Sequence, residues 1–160
     1  MKTILVISLL LSLASTQPSY GFGLSAVNPA ASTSTDYYFG VSLIADPSNT
    51  IDIQSGASSA FALPSDYSNR QTNGNIPCTL LSWGDPFATT LPTPSCSISG
   101  TTITVSNLFT QAYSLNYQFD FTLQVSNILN PLASGQTGNF FYYLYATSGT
   151  ITITATGVGI

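Results

Sequence analysis

The sequence predicts an all-β chain, an antiparallel β-sandwich of about seven to nine strands in an Ig-like or jelly-roll-like arrangement, on three observations. Apolar residues take every second position through Tyr113, Leu115, Tyr117, Phe119, Phe121, Leu123 and Val125, with Ser, Asn, Gln, Asp and Thr between them. This alternation gives a strand one apolar and one polar face. The apolar runs are short and punctuated by Gly, Pro, Asn and Ser, and no segment carries helical periodicity.

From the N-terminus, Met1-Lys2-Thr3 is a short positive region, Ile4 to Leu13 is an unbroken apolar run, and Ser12-Leu13-Ala14 supplies small residues for cleavage. Residues 1–15 therefore read as a secretory signal peptide, because the run falls far short of the ~20 residues that span a bilayer. The last residues, Thr150 to Ile160, lack the polar spacer and long apolar tail of a lipid-anchor signal, so the product is expected to be secreted and extracellular, with no membrane span.

Residues 16–35 form a second unit. Tyr20, Phe22, Leu24 and Ala26 alternate with Gly21, Gly23 and Ser25 and run on to Val27, which predicts an apolar strand. Asn28 to Thr35 is small and polar and reads as a flexible linker. Two fates are open to this arm: it folds back as the first strand of its own sandwich, or it is donated to a neighbouring subunit.

Residues 36–160 carry the sandwich. Tyr37, Phe39, Val41, Leu43 and Ala45 repeat the alternation, followed by short candidates at Ile51–Ile53, Ser59–Leu63, Thr79–Trp83 and Thr102–Val105. Phe140 to Tyr145 and Ile151 to Ala155 flank Thr147-Ser148-Gly149 as a hairpin. Cys78 and Cys96 are the only cysteines, and in an exported protein they predict one disulfide. It closes a loop of about 19 residues around a proline-rich segment and contributes about 3 kcal/mol. In adjacent aromatic pairs one ring points out, which makes Tyr38, Phe141 and Tyr143 candidate surface aromatics together with Trp83.

Composition excludes much chemistry. Charged residues are 5% of the 160, against about 25% in an ordinary soluble domain, and there is no histidine. Imidazole bases, imidazole metal ligands and His-activated nucleophiles are therefore absent. Loss of Lys2 takes the formal charge from −4 to about −5 and leaves Arg70 as the lone cation, which disfavours nucleic acid. There is no glutamate, and Asp46, Asp52, Asp66, Asp85 and Asp120 are scattered at turns rather than set in a calcium loop. No catalytic residue, metal or cofactor is expected, and the chain is not expected to be an enzyme.

Cys96-Ser97-Ile98-Ser99-Gly100-Thr101-Thr102-Ile103-Thr104-Val105, the strand Phe119 to Ile128, and Asn127-Ile128-Leu129-Asn130-Pro131-Leu132-Ala133-Ser134 with Thr137-Gly138-Asn139-Phe140 together resemble a β-sandwich module of ciliate and related protist extracellular surface proteins. The diagnostic part is an apolar strand, Asn-x-x-Asn-Pro, a Ser/Thr loop and a Gly-x-Phe strand. The resemblance implies no catalytic residues.

Soluble sandwiches guard sheet edges with lysine and other charges, and this sequence has neither in its strands to any extent. No Asn-x-Ser/Thr sequon is present, leaving O-glycosylation of the many Ser and Thr residues as the available sugar coat. The expected function is a secreted structural subunit that self-assembles into an extracellular filament or surface coat, with the arm Tyr20, Phe22, Leu24, Ala26 and Val27 as a candidate donor strand. The alternative is a monomeric, adhesin-like module that binds glycan or protein through its exposed aromatics.

Overall fold

The computed structural model describes residues 19–155, apart from positions 29, 46, 48, 49, 69 and 148. The signal peptide expected at residues 1–15 lies outside the described residues, as does Asp46. The fold is an antiparallel β-sandwich of twelve strands. The surplus over the expected number comes from β5 and β7, which the sequence reading does not name, and from the division of the strand expected from Tyr113.

One sheet has four strands in the order β1 (Ser19–Ala26), β2 (Ser34–Ile44), β10 (Gln118–Leu129) and β6 (Cys78–Trp83). The facing sheet has six, in the order β12 (Gly149–Ala155), β11 (Phe140–Ala146), β4 (Ser59–Ala62), β8 (Thr102–Ser106), β7 (Ser95–Ser99) and β5 (Gly74–Ile76). A separate ladder joins β3 (Ile51–Ile53) to β9 (Tyr113–Leu115), which follow β2 and precede β10 in the chain. The long strand expected from residue 113 onward is thus divided. Its alternation keeps one phase through Leu115 and Phe119, both buried, while the hydrogen-bonding partner changes from β3 to β2.

Tyr37, Phe39, Val41 and Leu43 of β2 and Phe119, Phe121, Leu123 and Val125 of β10 point inward, against Phe61 of β4, Ile103 and Val105 of β8 and Phe140, Tyr142 and Leu144 of β11. Fully burying each such side chain contributes about 1.5–3 kcal/mol. Rings join the layers: Phe39 stacks on Phe61 with centroids 4.4 Å apart, and Phe61 meets Tyr142 at 4.9 Å. The disulfide Cys78–Cys96 forms as the sequence predicts and ties β6 of one sheet to β7 of the other. At the end of β6, Gly84 runs against β10 so closely that a Cβ there would lie 2.5 Å from Asp120 N, so no larger residue fits.

The arm folds back on its own chain. β1 pairs with β2 in unbroken register from Ser19↔Ile44 to Ala26↔Tyr37, and Phe22 packs on Phe39, Phe61 and Tyr142. Of the segment 28–35, expected to be a flexible linker, residues 34 and 35 open β2 and the described residues before them form a bonded turn. Asn28 N–H donates to Thr35 Oγ1 at 2.8 Å, Thr33 Oγ1 to Ala30 O at 2.6 Å, and Ser32 N–H to Pro131 O at 2.8 Å.

Asn130 fixes that turn from the far end of the chain. Its side chain is fully buried, and Nδ2 donates to Asn28 O and Ala30 O, each at 2.9 Å. Its Oδ1 accepts the Tyr37 hydroxyl at 2.7 Å, and the Tyr37 and Tyr67 hydroxyls are 2.6 Å apart. The Asn-x-x-Asn-Pro segment is read physically here: Asn127 sits at φ 65° beside the register shift in β10, and the shift delivers Asn130 to the turn. Replacement Asn130→Ala leaves the buried Tyr37 hydroxyl and two carbonyls without this partner. It should lower unfolding free energy by about 2–4 kcal/mol in guanidinium titrations, more than the ~1 kcal/mol expected of Tyr37→Phe.

Candidate functional site

The side chains singled out by the sequence fall in three places. Phe141 and Tyr143 lie half-buried on the outer face of the six-stranded sheet, their rings stacked at 6.3 Å and 21°. Small neighbours leave them standing proud: Ala62 and Ala60 oppose them on β4, and Thr154 and Thr152 on β12. Continuing across the sheet, the outward residues of β8 and β7 are Thr and Ser, so no charged side chain interrupts this face. Tyr38, also half-buried, lies on the opposite outer face, paired in register with Ser25 and Gln124.

Trp83, also half-buried, packs against the core instead of lying on an outer sheet face. Its ring packs on Phe119 at 4.6 Å, edge to face, and on Phe109 at 5.5 Å. The cause is a bulge. Leu123 pairs with Leu80 and Thr122 with Ser82, so Leu81 is the extra residue, and strand phase reverses behind it. Leu81 is pushed out to 47% exposure and Trp83 turns into the core. Its Nε1 is buried there without a well-formed hydrogen bond.

The arm residues Phe22, Leu24 and Ala26 are partly buried against the core, whereas Val27 is 62% exposed where the strand ends. β1 forms one edge of the four-stranded sheet and lies beside β12, an edge of the other. The described aspartates are each engaged singly. Asp52 Oδ1 accepts from Ser114 at 2.7 Å, Asp85 Oδ1 from Phe87 N–H at 2.8 Å, and Asp120 Oδ2 from Gln118 at 2.9 Å. Among the described residues, no three Asp or Cys side chains gather as a metal site would require.

Sequence reading missed the polar groups inside the sandwich. Asn130, Tyr37 and Tyr67 form one buried chain of hydrogen bonds, and Gln71 braces it by bonding both N–H and C=O of Leu129, at 3.1 and 2.8 Å. An Asn directly before Pro at the end of a long apolar strand is the signal that marks it.

No protein-family model matches the chain, and no curated protein matches it. Among solved structures the chain is similar to the crystal structure of BslA, a bacterial hydrophobin, at 17% identity and a TM-score of 0.40, over 88% of this chain and 98% of that one. A likeness this remote transfers no property.

Burial pushes the hydroxyls of Tyr37, Tyr67 and Tyr142 above the ordinary tyrosine range, and at Tyr67 the bond to Tyr37 adds to it. The folded chain therefore keeps protons that the unfolded chain loses near pH ~10, so their contribution is complete below that pH and falls as pH rises beyond it. Guanidinium midpoints should decline above pH ~10. Tyrosinate absorbance of these groups should appear with unfolding rather than before it.

Proposed function

We propose that this chain is a secreted structural subunit that assembles with copies of itself into an extracellular filament or surface coat. The observation that carries the reading is the character of the sheet edges. β1 and β6 border one sheet and β12 and β5 the other, and their sequences SYGFGLSA, CTLLSW, GTITITA and GNI contain no charge and no proline. Edge strands expose unpaired backbone donors and acceptors, and charge or proline is the usual guard against a second chain. Export rests on the leader-like residues 1–15 and agrees with the disulfide.

Because β1 and β6 lie at opposite edges of one sheet, β1 of one copy adding to β6 of the next continues the sheet head to tail. Such a heterologous contact propagates into a polymer. Donor-strand exchange of β1 is the other mode, with the same register to β2 made between copies. It has to carry the turn at Asn28 to Thr33 away from Asn130, or leave that turn as the hinge.

Protein taken from native medium should appear as regular filaments or sheets in electron microscopy. Lysine at the exposed edge positions Ser25 and Thr79, introduced together, should leave the circular dichroism unchanged and yield monomers in sedimentation. Particles of monomer mass in the unaltered protein would sink the reading.

The stacked, half-exposed Phe141–Tyr143 pair favours a second reading, a monomeric glycan- or protein-binding module. In that case Phe141→Ala with Tyr143→Ala abolishes retention on a glycan array or cell surface, while polymerisation is absent throughout.

A further inference from the structure

The 3-10 turn Ser65–Tyr67 and the connection from β10 to β11 enclose a pocket of about 430 Å³, within the range of small-molecule sites. Asp66, Ser68 and Arg70 line one side, and Leu132, Ser134 and Gln136 are among the residues of the other. It lies apart from the Phe141–Tyr143 face and contains the sole arginine of the sequence.

Two opposite charges share this pocket without pairing. Arg70 is half-buried, and its Nε donates to Asn130 O at 3.4 Å. Its terminal nitrogens have no partner among the described residues. Asp66 is exposed and held by one oxygen, Oδ2, which accepts Gly138 N–H at 3.2 Å, and Oδ1 has no partner among the described residues. Each side chain is therefore tethered to backbone by one atom and offers its remaining polar atoms to the pocket. Asn130 O is fixed by the core network, so the Arg70 tether is anchored to the rigid part of the fold.

Ligand chemistry follows from the two charges. A carboxylate satisfies Arg70 but meets Asp66, and an amine satisfies Asp66 but meets Arg70. A neutral ligand whose adjacent groups both donate and accept satisfies both, and vicinal hydroxyls are such groups. Leu132, 69% exposed at the rim, offers apolar surface to the C–H face of a pyranose. We propose that this pocket binds a neutral sugar residue, with vicinal hydroxyls donating to Asp66 and accepting from Arg70. The site is independent of the assembly reading above: a polymer or a monomer would carry it alike.

The test is saturation-transfer NMR on the ligand signals of methyl glucoside, methyl mannoside and methyl galactoside, with glucuronate as the charged arm, a method that tolerates large assemblies. At least one neutral glycoside should give transfer, with affinity reduced about tenfold by Asp66→Asn and by Arg70→Gln and unchanged by Phe141→Ala. Ser134→Trp, which fills the pocket from an exposed loop position without touching Asn130, should abolish transfer even if an Arg70 variant fails to fold. Silence from all three neutral glycosides overturns the proposal. So does preference for glucuronate, which indicates a plain carboxylate site, and so does loss on Phe141→Ala in place of the pocket variants.

Discussion

One buried amide organises this sandwich. Asn130 is fully enclosed, and a polar group in that position is tolerated only if its donors and acceptor are met. It meets them with groups drawn from distant parts of the chain: the turn after β1, the inward Tyr37 of β2, and through Tyr37 the turn that carries Tyr67. Apolar burial brings the two sheets together without specifying how they register. The amide supplies that specification at one end, and the disulfide between β6 and β7 ties the sheets a second time.

Much of the sandwich was legible because its strands keep strict alternation where they are long. β2 and β10 were readable from their inward aromatic and aliphatic rows, and the β11–β12 hairpin from the turn residues between its runs. What escaped was decided by residues far apart in the chain. The composition of 28–35 suggests freedom, yet its carbonyls are claimed by a side chain about a hundred positions later. Local sequence carries no trace of such a partner. Trp83 illustrates a different failure: a single extra residue at Leu81 reverses which face every later side chain occupies, and nothing in CTLLSW announces the bulge. Phe141 and Tyr143 lie on one face of β11, whose pairing is regular throughout.

The charge pattern connects fold and function. A surface this poor in charge lacks the usual device for keeping strand edges apart, and the in-register neighbours of the Phe141–Tyr143 pair on β4 and β12 are Ala and Thr. Such a surface leaves backbone hydrogen bonds and apolar contact, rather than ion pairs, as the means of association. Of the charges that remain, Asp36, Asp52 and Asp120 lie in strands, and one pair of the others, Asp66 and Arg70, lines the pocket beside the Asn130 network.

The setting of Arg70 bears on how the folded chain withstands proteases. Lys2 and Arg70 are the basic residues of the sequence, so beyond Lys2 a trypsin-like protease finds one cleavable bond, after Arg70. That bond lies in a turn whose main chain is bonded to Tyr67 and whose side chain is held by Asn130, both buried in the core. Cleavage requires an extended, accessible segment, and extending this one means opening the polar network first. Resistance to digestion is thereby linked to the same buried amide that aligns the sheets.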